Sequence, residues 1–170
     1  TYGQVAKLTA SDAASNDYFG YSVAIYGGTV VVGAYYKSSG TGAVYVFRTT
    51  DGGATYGQVA KLTASDAASG DRFGFSVAID GDTVLAGAYS KSSGTGAAYV
   101  LRTSDGGATY VEVAKLTASD ASSRNYFGVS VAIAGNTIVI GAYEYDTSGT
   151  GKAYVFHTSD GWATHVEIKL

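Results

Sequence analysis

One segment recurs three times at a fixed spacing, and this repeat constrains the fold more than any other feature of the sequence. In the first copy an apolar segment at 19–25 is followed by a turn and by a valine-rich segment at 29–34. The phenylalanines that open the copies, Phe19, Phe73 and Phe127, lie 54 residues apart. A period of this length is typical of repeat architectures. We therefore expect one domain, built from three similar units within the 170 residues.

Each unit is predicted to contain four short strands. The first, at 19–25, alternates large and small side chains, which is the period of a β-strand. The second, at 29–34, is a β-branched run that we expect to be buried on both faces. The third is at 43–47 and the fourth is at 56–62, where Gln58 and Lys61 indicate an outer strand that faces water.

The connections between these strands are predicted from their turn residues. Tight hairpin turns at 26–28, 80–82 and 134–136 join the first strand of each unit to the second. A Ser/Gly loop at 37–42 precedes the third strand, and its counterpart at 144–149 is one residue longer. The linker at 63–72 is rich in Ser, Asp and Ala but has no apolar stripe, so we expect a loop and not a helix.

Four antiparallel strands in each unit, repeated radially, are typical of a β-propeller. A β-helix is the alternative, but it would need much shorter rungs and no hairpin turns. We predict an all-β fold with three four-stranded antiparallel blades in a single propeller segment, 1–170. The blades are 18–62, 63–116 and 117–170, and a spare outer strand with its linker occupies 1–17.

Two motifs in each unit resemble the FG-GAP repeat of integrin α-chain propellers and related surface proteins. The first motif is Phe19-Gly20, Phe73-Gly74 and Phe127-Gly128. The second motif is Gly33-Ala34, Gly87-Ala88 and Gly141-Ala142, each followed by Tyr where the family usually has Pro. The resemblance implies propeller blades in an extracellular or cell-surface protein.

A second resemblance lies between the third and fourth strands. Segment 103–110 is similar to the Asp-box of sialidases and other propellers, as are 49–56 and, with departures at Trp162 and His165, 158–165. In that family the box is a structural hairpin whose Asp bonds the backbone of its own turn, as turn Asp does generally. The resemblance implies this role for Asp51, Asp105 and Asp160.

Calcium is the one cofactor that the sequence gives reason to consider. In integrins the hairpin between the two motifs often binds calcium, but here it is shortened to Asp80-Gly81-Asp82 in its most acidic copy. Calcium takes about six to eight oxygen ligands, which so short a turn does not supply. Weaker candidates are the linker carboxylates Asp12, Asp17, Asp66, Asp71 and Asp120. We favour a structural role for them in the interblade turn, and we predict no cofactor.

The sequence does not indicate an enzyme. A glycosidase needs two carboxyl groups that share a cleft, and nothing places any two of Glu112, Glu144 and Glu167 together. His157 and His165 replace other residue types of the earlier units, and we expect them at the surface or at a blade edge. We predict a non-enzymatic protein, with a glycoside hydrolase as the least favoured class.

Composition excludes several partners. The net charge is −3 and the 11 basic residues form no run, which disfavours nucleic acid. No apolar run approaches the roughly 18 residues of a membrane span. With no cysteine, neither a disulfide nor a thiolate metal site can form. Methionine is also absent, so we expect processing or an excerpt of a longer chain, both of which fit export.

The number of blades suggests how the protein functions. Closed propellers use about four to eight blades, so three would leave two apolar faces uncovered. We therefore predict that the chain joins copies of itself, or the remaining blades of a longer chain, in an extracellular structural or adhesive role. The alternative is an integrin-like or lectin-like module that binds a protein or a glycan. Tyrosines that follow the second strand suit such contacts: Tyr35, Tyr36, Tyr89, Tyr143 and Tyr145.

Overall fold

The computed structural model describes residues 3–144 and 149–168, so Tyr145 lies outside the described residues. It contains three four-stranded antiparallel sheets, each formed by one repeat. The first is β1 Ser22–Tyr26, β2 Thr29–Ala34, β3 Ala43–Arg48 and β4 Gly57–Leu62. The second is β5 Ser76–Asp80, β6 Thr83–Ala88, β7 Ala97–Arg102 and β8 Val111–Leu116. The third is β9 Ser130–Ala134, β10 Thr137–Ala142, β11 Lys152–His157 and β12 Val166–Ile168.

The order of strands within each sheet follows the chain, as expected for propeller blades. Neighbours pair in the orders β1-β2-β3-β4, β5-β6-β7-β8 and β9-β10-β11-β12. The register is also repeated, because Ser22 lies opposite Gly33 in the first blade and Ser76 lies opposite Gly87 in the second. The predicted all-β blade architecture is confirmed. In the described part of the chain no helix is long and apolar enough to cross a membrane.

The hydrophobic core lies between the blades. Val31 and Val46 of the first blade pack in one cluster with Val77 and Val84 of the second. A second cluster joins β6 and β7 to β10 and β11 in the same way. Each fully buried Val or Ile side chain stabilises the fold by about 1.5–3 kcal/mol relative to an exposed one. The blades therefore stabilise one another through their flat sides.

Blade 1 turns one apolar side away from blade 2, and we call this side the leading face. It carries Val23 and Ile25, whose side chains are 65% and 64% exposed. Their counterparts in blade 2, Val77 and Ile79, are both 8% exposed because blade 1 covers them. The exposure on blade 1 is thus the expected consequence of a blade without a neighbour on that side.

Blade 3 has a matching open side, which we call the trailing face. Val139 on this face is 39% exposed, whereas its counterparts Val31 and Leu85 are fully buried against the next blade. Ala153 is also exposed here, although Ala98 at the same position of blade 2 is fully buried. The two apolar faces expected from the sequence are therefore present, at opposite ends of the row of blades.

Three local features differ from expectation. The first strand of each blade begins at Ser22, Ser76 or Ser130, not at the phenylalanine, because Gly20 and its counterparts adopt a positive φ and form a turn. The Ser/Gly loop coils into short helical turns, α1 Lys37–Gly40 and α2 Lys91–Gly94, whose two central serines are left-handed. Residues 3–8 form no strand, because each third strand in the described residues already pairs with the fourth strand of its own blade. Leu8 packs on blade 1 instead.

Candidate functional site

The two glycine motifs meet inside each blade. The amide of Gly20 donates a hydrogen bond to the carbonyl oxygen of Gly33 at 3.0 Å. The same bond joins Gly74 to Gly87 and Gly128 to Gly141. The phenylalanine of the motif packs on the ring of the third strand's tyrosine, with 5.6 Å between the centroids of Phe19 and Tyr45.

The same motifs also join each blade to the next. Ser22 Oγ donates to the carbonyl oxygen of Gly74 at 2.8 Å, and Ser76 Oγ donates to that of Gly128 at 2.8 Å. A Cβ on Gly33 would overlap the Gly74 carbonyl oxygen, so only glycine permits this approach. Sequence analysis did not single out these serines. Their recurrence as the first residue of β1, β5 and β9 was the signal that could have identified them.

Further main-chain hydrogen bonds complete the junction between blades. The amide of Phe73 donates to the Thr41 carbonyl oxygen at 3.2 Å, and the amide of Arg72 donates to that of Gly40 at 2.8 Å. The corresponding bonds recur between blades 2 and 3. We call this set of contacts the interblade latch.

At each open face, the described residues supply only one of the two halves of the interblade latch. On the trailing face, a Cβ on Gly141 would meet only atoms of Ser130, whereas the corresponding Gly33 and Gly87 also meet the glycine of the following blade. On the leading face, Gly20 has open space where a Cβ would project. Since the two halves are complementary, the open faces together are the candidate functional site of this chain.

The linker carboxylates lie beside lysines. Asp12 accepts hydrogen bonds from Lys61 Nζ at 2.7 Å and from the Tyr45 hydroxyl at 2.6 Å. Asp17 accepts from Lys37 Nζ at 2.9 Å and from the backbone amide of Ala14 at 2.7 Å. The second copy repeats this arrangement with Asp66, Asp71, Lys91, Lys115 and Tyr99.

The third copy of this cluster keeps the tyrosine and changes the lysine. Asp120 accepts from the Tyr154 hydroxyl at 2.7 Å and from Lys152 Nζ at 2.9 Å. Lys152 also pairs with Glu144 at 2.6 Å.

Among the described residues, no three His, Cys, Asp or Glu side chains converge in a way that could hold a metal ion.

These hydrogen bonds favour the ionised carboxylates. The hydrogen bond from Lys61, followed by that from Tyr45, lowers the pKa of Asp12 far below its usual value. The hydrogen bond from Tyr154, followed by that from Lys152, lowers the pKa of Asp120. The cluster can therefore hold the linker against the following blade at neutral pH.

Each hairpin between the third and fourth strands is closed by its own aspartate. Asp51 accepts from the Thr55 amide at 2.9 Å, and Thr49 Oγ1 accepts from the Gly53 amide at 2.8 Å. The same pattern occurs around Asp105 and Asp160. Hydrogen bonds from the Thr164 hydroxyl, the Thr164 amide and the Thr158 hydroxyl, in decreasing order of effect, lower the pKa of Asp160 to about 2.

The other glutamates and the two histidines contact residues of their own. Glu112 accepts hydrogen bonds from Ser65, and Glu167 accepts from Ser119. His157 and His165 are both exposed, and Nδ1 of His157 lies 3.3 Å from the Thr137 hydroxyl.

The tyrosines that follow the second strands form one row with rings that precede the first strands. Centroids of successive rings in this aromatic row are 4.3 to 5.7 Å apart. Its members are Tyr18, Tyr35, Phe75, Tyr89, Tyr126 and Tyr143. Sequence analysis selected only the tyrosines after the second strand, because the others become their neighbours through blade packing.

Comparison with protein families identifies the repeat. The model of the FG-GAP repeat matches residues 2–47, 56–101 and 110–156. The chain belongs to the FG-GAP repeat family. The FG-GAP matches leave out 48–55 and 102–109, which hold the first two aspartate hairpins, so the Asp-box interpretation stays a prediction.

Solved structures show that this FG-GAP chain shares its fold with distant proteins. It superposes on the crystal structure of Saccharomyces cerevisiae Sqt1 with a TM-score of 0.58 and 9% identity, over 91% of this chain and 36% of Sqt1. A europium-containing methanol dehydrogenase gives a TM-score of 0.51 and 12% identity, over 81% of this chain and 22% of the dehydrogenase. The chain thus spans about a third of the length of Sqt1 and about a fifth of the length of the dehydrogenase. Comparison with curated protein sequences gives no match.

Proposed function

We propose that this FG-GAP segment is a non-enzymatic structural and adhesive module of an extracellular or cell-surface protein. It associates through its leading and trailing faces, either with copies of itself or with further blades. The observation that carries the proposal is the pair of open faces, which present the two complementary halves of the interblade latch.

The interface already present within the chain supports this proposal. Val77 and Ile79 of blade 2 pack against blade 1, and the exposed Val23 and Ile25 repeat the same two residue types in the same register. The leading face of one copy therefore offers the trailing face of another copy the same kind of surface that blade 2 offers blade 1 within the chain.

The direction of association also follows from the latch. The half of the latch on the leading face differs from the half on the trailing face. Two copies therefore meet head to tail, with the leading face of one on the trailing face of the other. Such heterologous contacts form rings when the rotation closes and filaments when it does not. A ring or a fibre is the expected product.

Two charged variants and one control test this arrangement. Ile25→Lys places a charge on the leading face, and Ala153→Arg places one on the trailing face. Val111→Lys is the matched control, because Val111 is as exposed as Ile25, at 64%, but lies on the outer strand of the covered blade 2. Light scattering coupled to size exclusion measures the mass of each.

We expect the wild-type chain and the control to run above the monomer mass, and each face variant alone to run as a monomer. A mixture of the two face variants should form a dimer and stop there, because one intact face remains on each partner. A wild-type chain that stays a soluble monomer at high concentration, or a mixture that stays monomeric, would contradict association between copies.

Location is tested separately. Antibodies against the purified segment should label the outside of intact, unpermeabilised cells of the source organism or its secreted matrix. Labelling that requires permeabilisation would contradict the extracellular part of the proposal.

A further inference from the structure

The aromatic row lies at one end of the blades and not on their flat sides. It forms there because β1 and β2 are antiparallel, so that Tyr21 before β1 and Tyr35 after β2 emerge at the same end. Their ring centroids are 4.6 Å apart, and Tyr21 also lies 4.7 Å from Phe75 of the next blade. Packing of one blade against another therefore extends the row and does not cover it.

The row is partly exposed, unlike the core tyrosines. Tyr18 and Tyr143 are 51% and 47% exposed, as is the adjoining Tyr21 at 53%, and the other rings of the row are half-buried, whereas Tyr45 and Tyr99 are fully buried. A contiguous exposed patch of aromatic rings marks an interaction site more often than scattered apolar residues do. Tyrosine suits such a site because its ring is apolar and its hydroxyl forms hydrogen bonds.

The backbone at two positions of the row adds to this argument. Tyr18 and Tyr126 have φ angles of 54° and 51°, a region where glycine is much less strained. Both rings stack on the tyrosine that follows the second strand, with 5.3 Å between Tyr18 and Tyr35 and 5.0 Å between Tyr126 and Tyr143. The fold thus holds large rings in the row at positions that favour a residue without a side chain.

Positive charge accompanies the rings. Arg72 occupies the repeat position of Tyr18 and Tyr126, and its guanidinium lies 4.3 Å from the centroid of Tyr36. None of the ion pairs found in the described part of the chain involves Arg72 or the exposed Arg124.

The nearby carboxylates do not offset this charge. Asp17 and Asp71, which lie next to the row in sequence, are paired with Lys37 and Lys91 at 2.9 and 2.7 Å. The Arg72 guanidinium beside the rings is therefore available to an acidic ligand, and a guanidinium binds carboxylate or sulfate with two parallel hydrogen bonds.

We propose that the aromatic row binds an acidic polysaccharide, a function separate from the association of blade faces. The apolar faces of pyranose rings lie on the ring surfaces that the row leaves exposed, the sugar hydroxyls bond the tyrosine hydroxyls, and Arg72 pairs with a carboxylate or sulfate of the chain. A linear ligand of repeating rings fits because the site itself is a line of rings that crosses all three blades. Proline-rich peptides also dock on aromatic grooves, but they supply no charge for Arg72.

The test uses the purified chain and isothermal titration calorimetry. Hexagalacturonate is the acidic probe, cellohexaose the neutral probe, and a polyproline peptide the competing class. The variants are Arg72→Gln and the double variant Tyr18→Ala with Tyr21→Ala. Tyr26→Ala is the matched control, because Tyr26 is 51% exposed but lies at the opposite end of β1.

We expect hexagalacturonate to bind more tightly than either other probe. Arg72→Gln should weaken its binding about tenfold, as expected for one hydrogen bond to a charged group, and leave the weak binding of cellohexaose unchanged. The double tyrosine variant should weaken both sugars, and the control neither. Circular dichroism melting, unchanged for all variants, shows that they are folded.

Several results would overturn the proposal: absence of hexagalacturonate binding, equal weakening by the Tyr26 control, no effect of the double variant, or tighter binding of polyproline. Each of these leaves the sizing experiment on Ile25 and Ala153 unaffected. Failure of glycan binding is therefore distinguishable from failure of blade association.

Discussion

The inner strands of blades 1 and 2 carry the same two residue types in the same register but differ in burial. Val23 and Ile25 are 65% and 64% exposed, whereas Val77 and Ile79 are 8% exposed. Neither strand sequence nor strand pairing explains this difference, because both are shared. The neighbour explains it: blade 1 covers blade 2, and the leading face of blade 1 has no cover. The repeat thus specifies surfaces that need a partner blade.

The largest expected effect in this comparison is at the FG phenylalanine. Phe73 is 1% exposed between blades, and Phe73→Ala should lower the free energy of unfolding by about 3–5 kcal/mol. Phe19→Ala should cost clearly less, since Phe19 is only half-buried on the open face. Urea denaturation measures both. Both are compared in the Ala153→Arg background, in which the proposed association is blocked and the leading face has no cover. Equal losses there would contradict the comparison.

A smaller effect is expected at the glycine of the second motif. Gly33→Ala forces a Cβ against the Gly74 carbonyl of the next blade, which should cost about 1–3 kcal/mol as an overpacked contact. Gly141→Ala meets only Ser130, so its cost should be smaller. Thermal unfolding of the two variants, both in the Ile25→Lys background that blocks the proposed association, checks the order. A more damaging Gly141→Ala in that background would argue against an open trailing face.

The interblade serine should give a still smaller effect. Ser76→Ala removes the 2.8 Å hydrogen bond to the Gly128 carbonyl oxygen and should cost about 0.5–1.5 kcal/mol. Ser130→Ala, at the same position of blade 3, should cost less, because no following blade supplies that carbonyl. The difference in urea midpoint at constant m-value measures this contrast, with both variants made in the Ile25→Lys background that blocks the proposed association. Equal urea midpoints for the two variants would contradict the role of this hydroxyl in joining blades.

Acid should weaken the linker clusters in a defined direction. The folded pKa of Asp12 lies below the unfolded value of about 3.9, so its contribution to stability is complete above that value and is lost as the pH falls below it. Asp12→Asn should flatten the decline in stability below about pH 4, whereas Ser15→Ala, in the same linker, should leave it unchanged. Urea titrations at several pH values measure the slope, and an unaltered slope in Asp12→Asn would contradict this assignment.

Much of the fold could be predicted because it depends on local pattern. Alternation and β-branched runs located the strands, and Gly-containing turns located the hairpins. The start of the first strand could not be found in this way, since Phe19 and Gly20 look like strand residues until the positive φ of Gly20 is known. The predicted spare strand failed to pair for a similar reason, because a strand requires a partner that its own residues do not supply.

The candidate site was less predictable. The linker aspartates were noticed, but their partners Lys37 and Lys61 are 20 to 49 residues away and approach only after the blade has folded. The aromatic row was only partly foreseen, since Tyr21 and Phe75 resemble ordinary strand residues until two blades pack together. Contacts between distant segments leave no periodic signature in the chain.

By itself, the sequence determined the number of blades, their strand order and the glycine positions, because short-range periodicity and backbone sterics act within a few residues. The tertiary structure alone decided which copies of the repeat are buried, which lysine neutralises which carboxylate, and which rings form a row. Those outcomes depend on contacts between segments well separated in the chain, as Lys37 meets Asp17 across an interval of 20 and Ser22 meets Gly74 across an interval of 52. Similar units therefore differ in burial wherever one of them lacks a neighbour.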